Sequence, residues 1–500
     1  MQPATLNLPP TRGSTGRAAF FAILVFEMVF LMAARTPVDS DLWWHLATGE
    51  QTLRSGWPVL ADTFSYTRAG ALWTNHSWLG EVILALAYRA GGWMGVSTLG
   101  ALLAAGRMLL VYRQMAGHPL WRAFLVVMAS LVAAPVWSAR PQVFSLFLLA
   151  LLMDVVRRYW SGDKTRLYWL PLIFALWSNL HGGYALGFIF LGCWMAGALL
   201  DRLLRPGEAW RGRLLRLAVW TGLSLLAVLI HPNGLNMWRT PLPKGGVGAL
   251  PQAIPEWASP DFHDPIQQPF LILLGGLVAA LGLAGRPADG GGLISAAVFA
   301  AMALVARRNF GPFALVSLPV LAAAGWQVLE RLRAAPGLLA RLAPSRAGQG
   351  APSPVRLQRA LDATILAVLA LSCGVKVYAA AQPATVSGYV AETFPLDAAA
   401  WVKANHPEGR LFNEYAWGGY LIWSLPEYPV FVDGRTDLFG DEIIGEWLGV
   451  MGAREGWQAA LDRWKVRLVM IPPGTALERG LQNEHWTLLY RDPVAVVYGR

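Results

Sequence analysis

The 500 residues are 55% hydrophobic and 14% charged, against about 25% charged in soluble globular chains, and the mean hydropathy is +0.41. That composition excludes a soluble globular protein and reads as a polytopic membrane protein. The formal net charge of +10 sits in short Lys/Arg clusters between apolar segments, where the positive-inside rule puts it. Without a basic stripe interleaved with aromatics it argues against nucleic acid, and the only cysteines, Cys193 and Cys373, fall in separate apolar runs and suggest neither a disulfide framework nor a thiolate metal site.

Along the chain, Arg12 and Arg17 precede an apolar run over 18–34 that reads as an uncleaved anchor, Met32-Ala33-Ala34 being a poor cleavage site. Segments near 18–36, 94–113, 120–136, 141–157, 167–180, 184–203, 214–231, 268–285, 291–306, 310–328 and 360–380 approach the length of a spanning helix. The expected fold class is therefore an α-helical polytopic membrane protein with about 11 transmembrane helices over 1–382, followed by a small soluble α/β domain over 383–500.

Between the first two apolar segments lies a loop, 37–76, too polar to cross a bilayer. It sets Asp39, Asp41 and His45 around Trp43 and Trp44, then adds Asp62, Asn75, His76 and, just beyond, Glu81. Carboxylates and imidazoles can bind a divalent ion or take a proton, and tryptophans favour the headgroup level. The same residues also suit a surface loop that its charges merely keep wet. A helix over 40–48, capped by Ser40 or Asp39, would put Asp41 and His45 on one face at i, i+4 spacing. The next segment, 77–91, carries Trp78, Leu79, Val82, Ile83, Leu86 and Ala90 on one face with Glu81 and Arg89 opposite, which predicts an amphipathic helix lying in the membrane interface and ended by Gly91-Gly92.

With 77–91 lying flat, the clusters at Arg12 and Arg17, at 157–166, at 202–216 and at 331–359 can all be cytoplasmic. The polar residues in or beside the remaining apolar runs then collect on the opposite, outer side: Arg140 and Gln142, Asn179 and His181, His231 and Asn233, and Arg307 and Arg308. Ionisable groups at membrane depth usually face a cavity or a partner, so they predict one cavity shared with loop 37–76, although any one of them alone suits a snorkelling arginine or a capping histidine. The proline-rich outer loop 232–267 reads as a cover for that cavity and 334–359 as a cytoplasmic linker. In the last domain, strands are expected at 430–432, 466–471, 486–490 and 494–498, and helices at 396–405 and 441–463. There the strings Asn413–Tyr420 and Asp433–Asp437 could bind sugar, or in the second case form an ordinary turn.

An Asp39-Ser40-Asp41 loop after the first helix, an interfacial helix next and an outer C-terminal domain together resemble the GT-C superfamily of membrane glycosyltransferases. That superfamily includes oligosaccharyltransferase catalytic subunits, protein O-mannosyltransferases and lipid A aminoarabinose transferases. The chain is similar more specifically to a bacterial branch of multi-spanning proteins with the patterns D-x-D-L-W-W-H-L-x-x-G, D-x-F-S-Y-T, W-x-N-H-x-W-L, R-P-Q and V-D-G-R-x-D. The resemblance implies an enzyme of the cytoplasmic membrane that moves a sugar from a polyprenyl-phosphate donor to a glycan, lipid or protein acceptor on the outer face, often with a divalent metal such as Mg or Mn. It implies Asp41 or Asp39 as base or metal ligand, with His45 beside them, and Arg140, His231, Arg307 and Arg308 on the departing phosphate. Peptide-acceptor signatures such as W-W-D are absent from the sequence. A transporter for a lipid-linked or anionic solute is the rival reading, but no inverted repeat is visible; a scaffold would leave the acidic loop unexplained.

Overall fold

The computed structural model describes residues 14–162, 164–204, 210–240, 255–285, 288–334 and 355–500. Arg12, Arg205, Arg341 and Arg346, most of the expected linker and the middle of loop 232–267 lie outside the described residues. The protein is mostly helical. Helices α1 (Ser14–Ala33), α2 (Leu42–Ser55), α3 (Trp78–Gln114), α4 (Pro119–Ala133), α5 (Gln142–Trp160), α6 (Trp169–Leu180), α7 (Ala185–Leu204) and α8 (Trp210–Ala227) lead to α9 (Gln268–Leu283), α10 (Gly290–Val305), α11 (Phe310–Ala334) and α12 (Val355–Ala380).

Each expected apolar segment is helical, but among the described residues four helices are long and apolar enough to cross a membrane: Trp78–Gln114, Gly182–Leu203, Arg307–Ala334 and Arg356–Ala380. The expected count of eleven thus rests on helices that are often too short on their own. Helix α6, with 12 residues, spans about 18 Å of a ~30 Å hydrocarbon core. Phe144, Leu149, Phe174, Trp177, Phe270, Phe299, Phe310 and Phe313 pack into one core inside the bundle.

Helix α3 turns sharply where Gly91 and Gly92 leave helical geometry, Gly92 at φ 56°, a conformation open to glycine at little cost. The part before that kink departs from the expected facing of Glu81. Glu81 does not face outward; it is fully buried against α2, and Gly49 of α2 lets the two helices approach so closely that a Cβ there would overlap the Glu81 carbonyl.

The C-terminal unit begins with α13 (Pro383–Thr393) and α14 (Leu396–Asn405) and carries a four-stranded sheet in the order β1-β2-β4-β3. Strand β1 (Arg410–Asn413) runs parallel to β2 (Val466–Ile471), while β4 (Val496–Gly499) is antiparallel to both β2 and β3 (Thr487–Arg491). Residues 430–432 form no strand of that sheet; Val430 instead bridges to Ser65 of the first loop. The expected helix over 441–463 is two helices, α16 (Thr436–Met451) and α17 (Trp457–Arg463), preceded by the short α15 (Gly418–Ser424).

Three of the four tryptophans of the first loop do not lie at a headgroup surface; Trp57 alone is exposed. Trp43, Trp44 and Trp73 are buried in one core with Phe394, Tyr420, Leu421 and Val430 of the C-terminal unit, and Trp43 meets Phe394 and Tyr420 in T-shaped, edge-to-face pairs at 5.9 and 5.1 Å. Burying such large side chains contributes more than the interface would, so the loop and the C-terminal unit fold as one body.

Candidate functional site

Asp41 is the residue before the first turn of α2. Its backbone N–H is taken by Asp39 Oδ1 at 2.9 Å, which leaves both Asp41 carboxylate oxygens for other partners. Oδ1 accepts from Trp44 Nε1 at 3.3 Å, and Oδ2 from Arg140 Nη1 at 2.6 Å. Arg140 stands on the turn that opens α5, where Val143 N–H bonds its carbonyl. Its guanidinium also donates to Glu256 Oε2 at 2.9 Å and to Ser138 Oγ at 2.8 Å, with Asp39 Oδ1 at 3.4 Å from Nε. Burial pushes the Asp41 carboxyl up to about 6, Arg140 pulling it down and Asp39 adding to the rise.

Two expectations change here. Asp41 and His45 do not act as a pair: the helix starts after Asp41, and His45 Nδ1 shares a 3.1 Å hydrogen bond with Glu81 Oε1, whose other oxygen accepts from Asn75 Nδ2 at 2.8 Å. Burial, then the charges of Arg140 and its neighbours, hold the His45 imidazole well below its ordinary value and therefore neutral. Arg140, in turn, does not wait for a phosphate; three carboxylates already surround it.

Arg308 has different surroundings. Its guanidinium lies over the Trp257 ring at 4.2 Å and interacts with both Glu256 and Arg140. Arg307 turns away: its backbone N–H bonds the Ala258 carbonyl and its charge lies near Asp261 and Asp264. The two arginines diverge because the 3-10 turn Arg307–Asn309 rotates successive side chains apart.

Behind Arg308 and Arg140 lies an imidazole group. His181 Nδ1 accepts from Gly183 N–H at 3.0 Å and from the Ser145 hydroxyl at 2.8 Å, and Ser145 Oγ accepts from Trp177 Nε1 at 2.7 Å. With Nδ1 an acceptor, the ring proton of neutral His181 is on Nε2. The His76 ring is 5.6 Å away. Nearby, His231 Nδ1 accepts from Asn233 N–H, Asn233 Nδ2 reaches the Asn75 carbonyl at 3.5 Å, and Asn179 bonds Trp78 Nε1 and the Ile230 carbonyl. His231 lies near His76, His76 near His181, and His181 near Arg140 and Arg308, so this group approaches Asp41 through Arg140. Gln142, in the first turn of α5, is half-buried.

Asp62 belongs elsewhere. With Asp433 it grips Arg435 of the C-terminal unit: Arg435 Nη1 donates to Asp62 Oδ1 at 2.7 Å, Nε and Nη2 donate to Asp433 at 2.8 and 2.6 Å, and all three side chains are fully buried. The guanidinium lies 5.1 Å from the Trp73 ring centre and 5.2 Å from that of Phe64. The Asp-Gly-Arg turn is thus a clasp, and its glycine has a use at the site, since a Cβ on Gly434 would overlap Asp41 Oδ1.

Sequence reasoning left out Ser138 and Ser145, took Glu256 only as part of the covering loop, and took Tyr415 and Gly434 only as parts of strings that could bind sugar. Tyr415 feels the charges of Asp41, Asp433, Glu256 and Arg140, so the C-terminal unit reaches the same centre. The signal was present in the Tyr-Ala-Trp-Gly-Gly-Tyr and Asp-Gly-Arg strings, but only the folded chain shows which loop they cover. Among the described residues no group of three or more His, Cys, Asp and Glu side chains is arranged to hold a metal, and Asp39, Asp41 and Glu256 point at a guanidinium instead. The divalent metal implied by the resemblance therefore does not fit these residues.

No protein-family profile and no curated protein matches the sequence. Among solved structures, the chain is similar to the archaeal oligosaccharyltransferase AglB from Archaeoglobus fulgidus in complex with an inhibitory peptide and a dolichol-phosphate: TM-score 0.58 and 12% identity, over 92% of this chain and 70% of that one. It is also similar to ArnT from Cupriavidus metallidurans bound to undecaprenyl phosphate, with TM-score 0.50 and 15% identity over 97% and 98% of the two chains. The Archaeoglobus enzyme in complex with Zn and sulfate matches at TM-score 0.52 and 12% identity over 96% and 73%.

Proposed function

We propose, for a chain whose fold is that of the GT-C membrane glycosyltransferases, that it moves a sugar from a polyprenyl-phosphate-linked donor to an acceptor hydroxyl on a glycan, lipid or protein. The observation that carries this reading is the Asp41 carboxylate, held by Arg140 and Trp44 beside Arg308 and His181. Asp41 takes the acceptor proton as the acceptor oxygen bonds the anomeric carbon. The bond from that carbon to the phosphate oxygen breaks, and its electron pair leaves on the polyprenyl phosphate. Arg308 and the His181 Nε2–H meet the phosphate as its charge grows, the kind of preorganised donor that favours a transition state over its ground state. His231 sits behind them and Asp39 orients Asp41 through its backbone N–H. Incubating the reconstituted protein with a panel of polyprenyl-phosphate sugars and measuring released polyprenyl phosphate tests the reading, and release that persists unchanged in Asp41→Asn would sink it.

Arg308→Ala is expected to weaken retention of a polyprenyl-phosphate donor by about ten-fold or more, with Arg308→Lys restoring part of it, because Lys keeps the charge but not the planar fork. Arg307→Ala should leave it nearly unchanged. Equal losses in both variants would count against a phosphate at Arg308.

The sidedness belongs to the same proposal: loop 37–76 and the unit 383–500 lie on the outer face of the cytoplasmic membrane, and the Arg-rich turn after α5 lies inside. Cysteines placed at the exposed Ala69 and Asn483 should both react with an impermeant maleimide in intact cells, and one at the exposed Ser161 only after permeabilisation. Labelling of Ala69 without Asn483 would break the topology.

A further inference from the structure

Three carboxylates from two separate loops meet at one point, and the group at that point is a side chain. Asp39 and Asp41 come from the loop before α2, Glu256 from the turn Pro255–Trp257, and Arg140 from the start of α5. The guanidinium uses separate nitrogens for the three: Nη1 for Asp41 at 2.6 Å, Nη2 for Glu256 at 2.9 Å, and Nε for Asp39 at 3.4 Å, where it also donates to Ser138. We propose that Arg140 is the site's built-in counter-cation, standing where a divalent metal ion would otherwise gather these carboxylates, and that the site works without one.

The chemistry follows from charge and geometry. A hard divalent ion needs several oxygen ligands drawn to within about 2.0–2.6 Å, and a guanidinium between the same oxygens takes their lone pairs and the room. With Arg308 also interacting with Glu256, two fixed positive charges face three carboxylates, so the cluster keeps about one net negative charge, too little to draw a dication from water. A planar fork also differs from a metal in function: it fixes the direction of the Asp41 Oδ2 lone pair it bonds while leaving the carboxylate free to accept a proton. The catalytic meaning of the inference rests on Asp41 being the reacting carboxylate; the absence of a metal requirement does not.

Mn2+ binding by electron paramagnetic resonance, on the full-length protein in nanodiscs, decides it. The wild type should bind no stoichiometric Mn2+ at millimolar concentration. Arg140→Ala, with three carboxylates released, should bind one Mn2+ with an affinity raised about ten-fold or more over wild type, since ligand charge sets the affinity of such sites; Arg140→Gln, which keeps hydrogen-bond donors, serves if the alanine variant does not fold. One Mn2+ bound by the wild type and lost in Glu256→Gln overturns the inference, as does a folded Arg140 variant that binds none. If neither variant folds, the wild-type titration decides. These readouts need no turnover, so a wild type that transfers no sugar yet binds no Mn2+ would count against the transferase and leave the built-in cation standing.

Discussion

Asp41→Asn should lower turnover of a lipid-linked sugar by about 10²–10⁴-fold, the usual worth of a positioned base, while donor binding and folding persist. Asparagine is nearly the same shape and its one amide oxygen can still accept from Arg140, so it gives up only the longer bond from Trp44 along with the charge and the capacity to take a proton. Asp39→Asn should cost far less, because Asp39 holds the Asp41 backbone and lies farther from Arg140. The wild-type pH profile carries a second signature. A base works ionised, and Asp41 is pushed up to about 6, so kcat/KM should fall about ten-fold per unit below that pH and level off above it. The Asn variant should show no such limb in its residual rate. The sign for stability runs the other way: a carboxyl raised in the folded state binds its proton more tightly there than in the unfolded chain, so stability is lost as pH rises from the ordinary carboxylate range through about 6, and Asp41→Asn should melt no lower than wild type at pH 8. A variant that melts lower and keeps its turnover would make Asp41 a structural residue.

The largest effect on stability is expected at Arg435. Its replacement by Ala leaves the buried Asp62 and Asp433 carboxylates without their counter-charge, with only local donors such as Ser65 and the backbone N–H of residue 435, and breaking a buried pair in this way costs roughly 3–5 kcal/mol. Arg435→Lys keeps a charge but loses the fork between two carboxylates and should fall between. The triple variant Asp62→Asn, Asp433→Asn, Arg435→Met, which removes all the charges together, should be more stable than Arg435→Ala alone, because the cost lies in the orphaned charges. Calorimetry of the purified protein, with detachment of the loop from the C-terminal unit followed by protease susceptibility, measures this; equal melting of the single and triple variants would show the clasp to be incidental.

What the sequence made legible followed from local chemistry. Apolar runs, the Gly91-Gly92 break and β2 at 466–471 need only neighbouring residues to be read. The contact of Arg140 with Asp41 was not local in this sense, although the position of Arg140 beside an apolar run marked it as a group that needs a partner. What could not be read was pairing across long separations. His45 prefers Glu81, 36 residues on, to Asp41 four before it, and Arg435 finds Asp62 across 373 residues. The same Asp-x-Asp string that suits a metal suits an arginine, and only the fold shows that Arg140 arrives there. Strand β1, with four residues, is too short for alternation to show, and the tryptophans of loop 37–76 look alike in sequence whether lipid or Phe394 and Tyr420 cover them.

Because Trp43, Trp44 and Trp73 share their core with residues beyond 383, the loop that carries Asp41 can pack on α3 early but has its tryptophan face uncovered while the ribosome is still making the middle of the chain. At synthesis rates of about 5–20 residues per second, the intervening stretch takes roughly 20–70 s. Through that interval the nascent protein exposes its tryptophans and Asp62 without Arg435, which makes it a substrate for holding chaperones and quality-control proteases. A chain cut short before 383 would carry Asp41, Arg140 and Arg308 without the core that seals their loop, so the finished arrangement is reached only by full-length molecules.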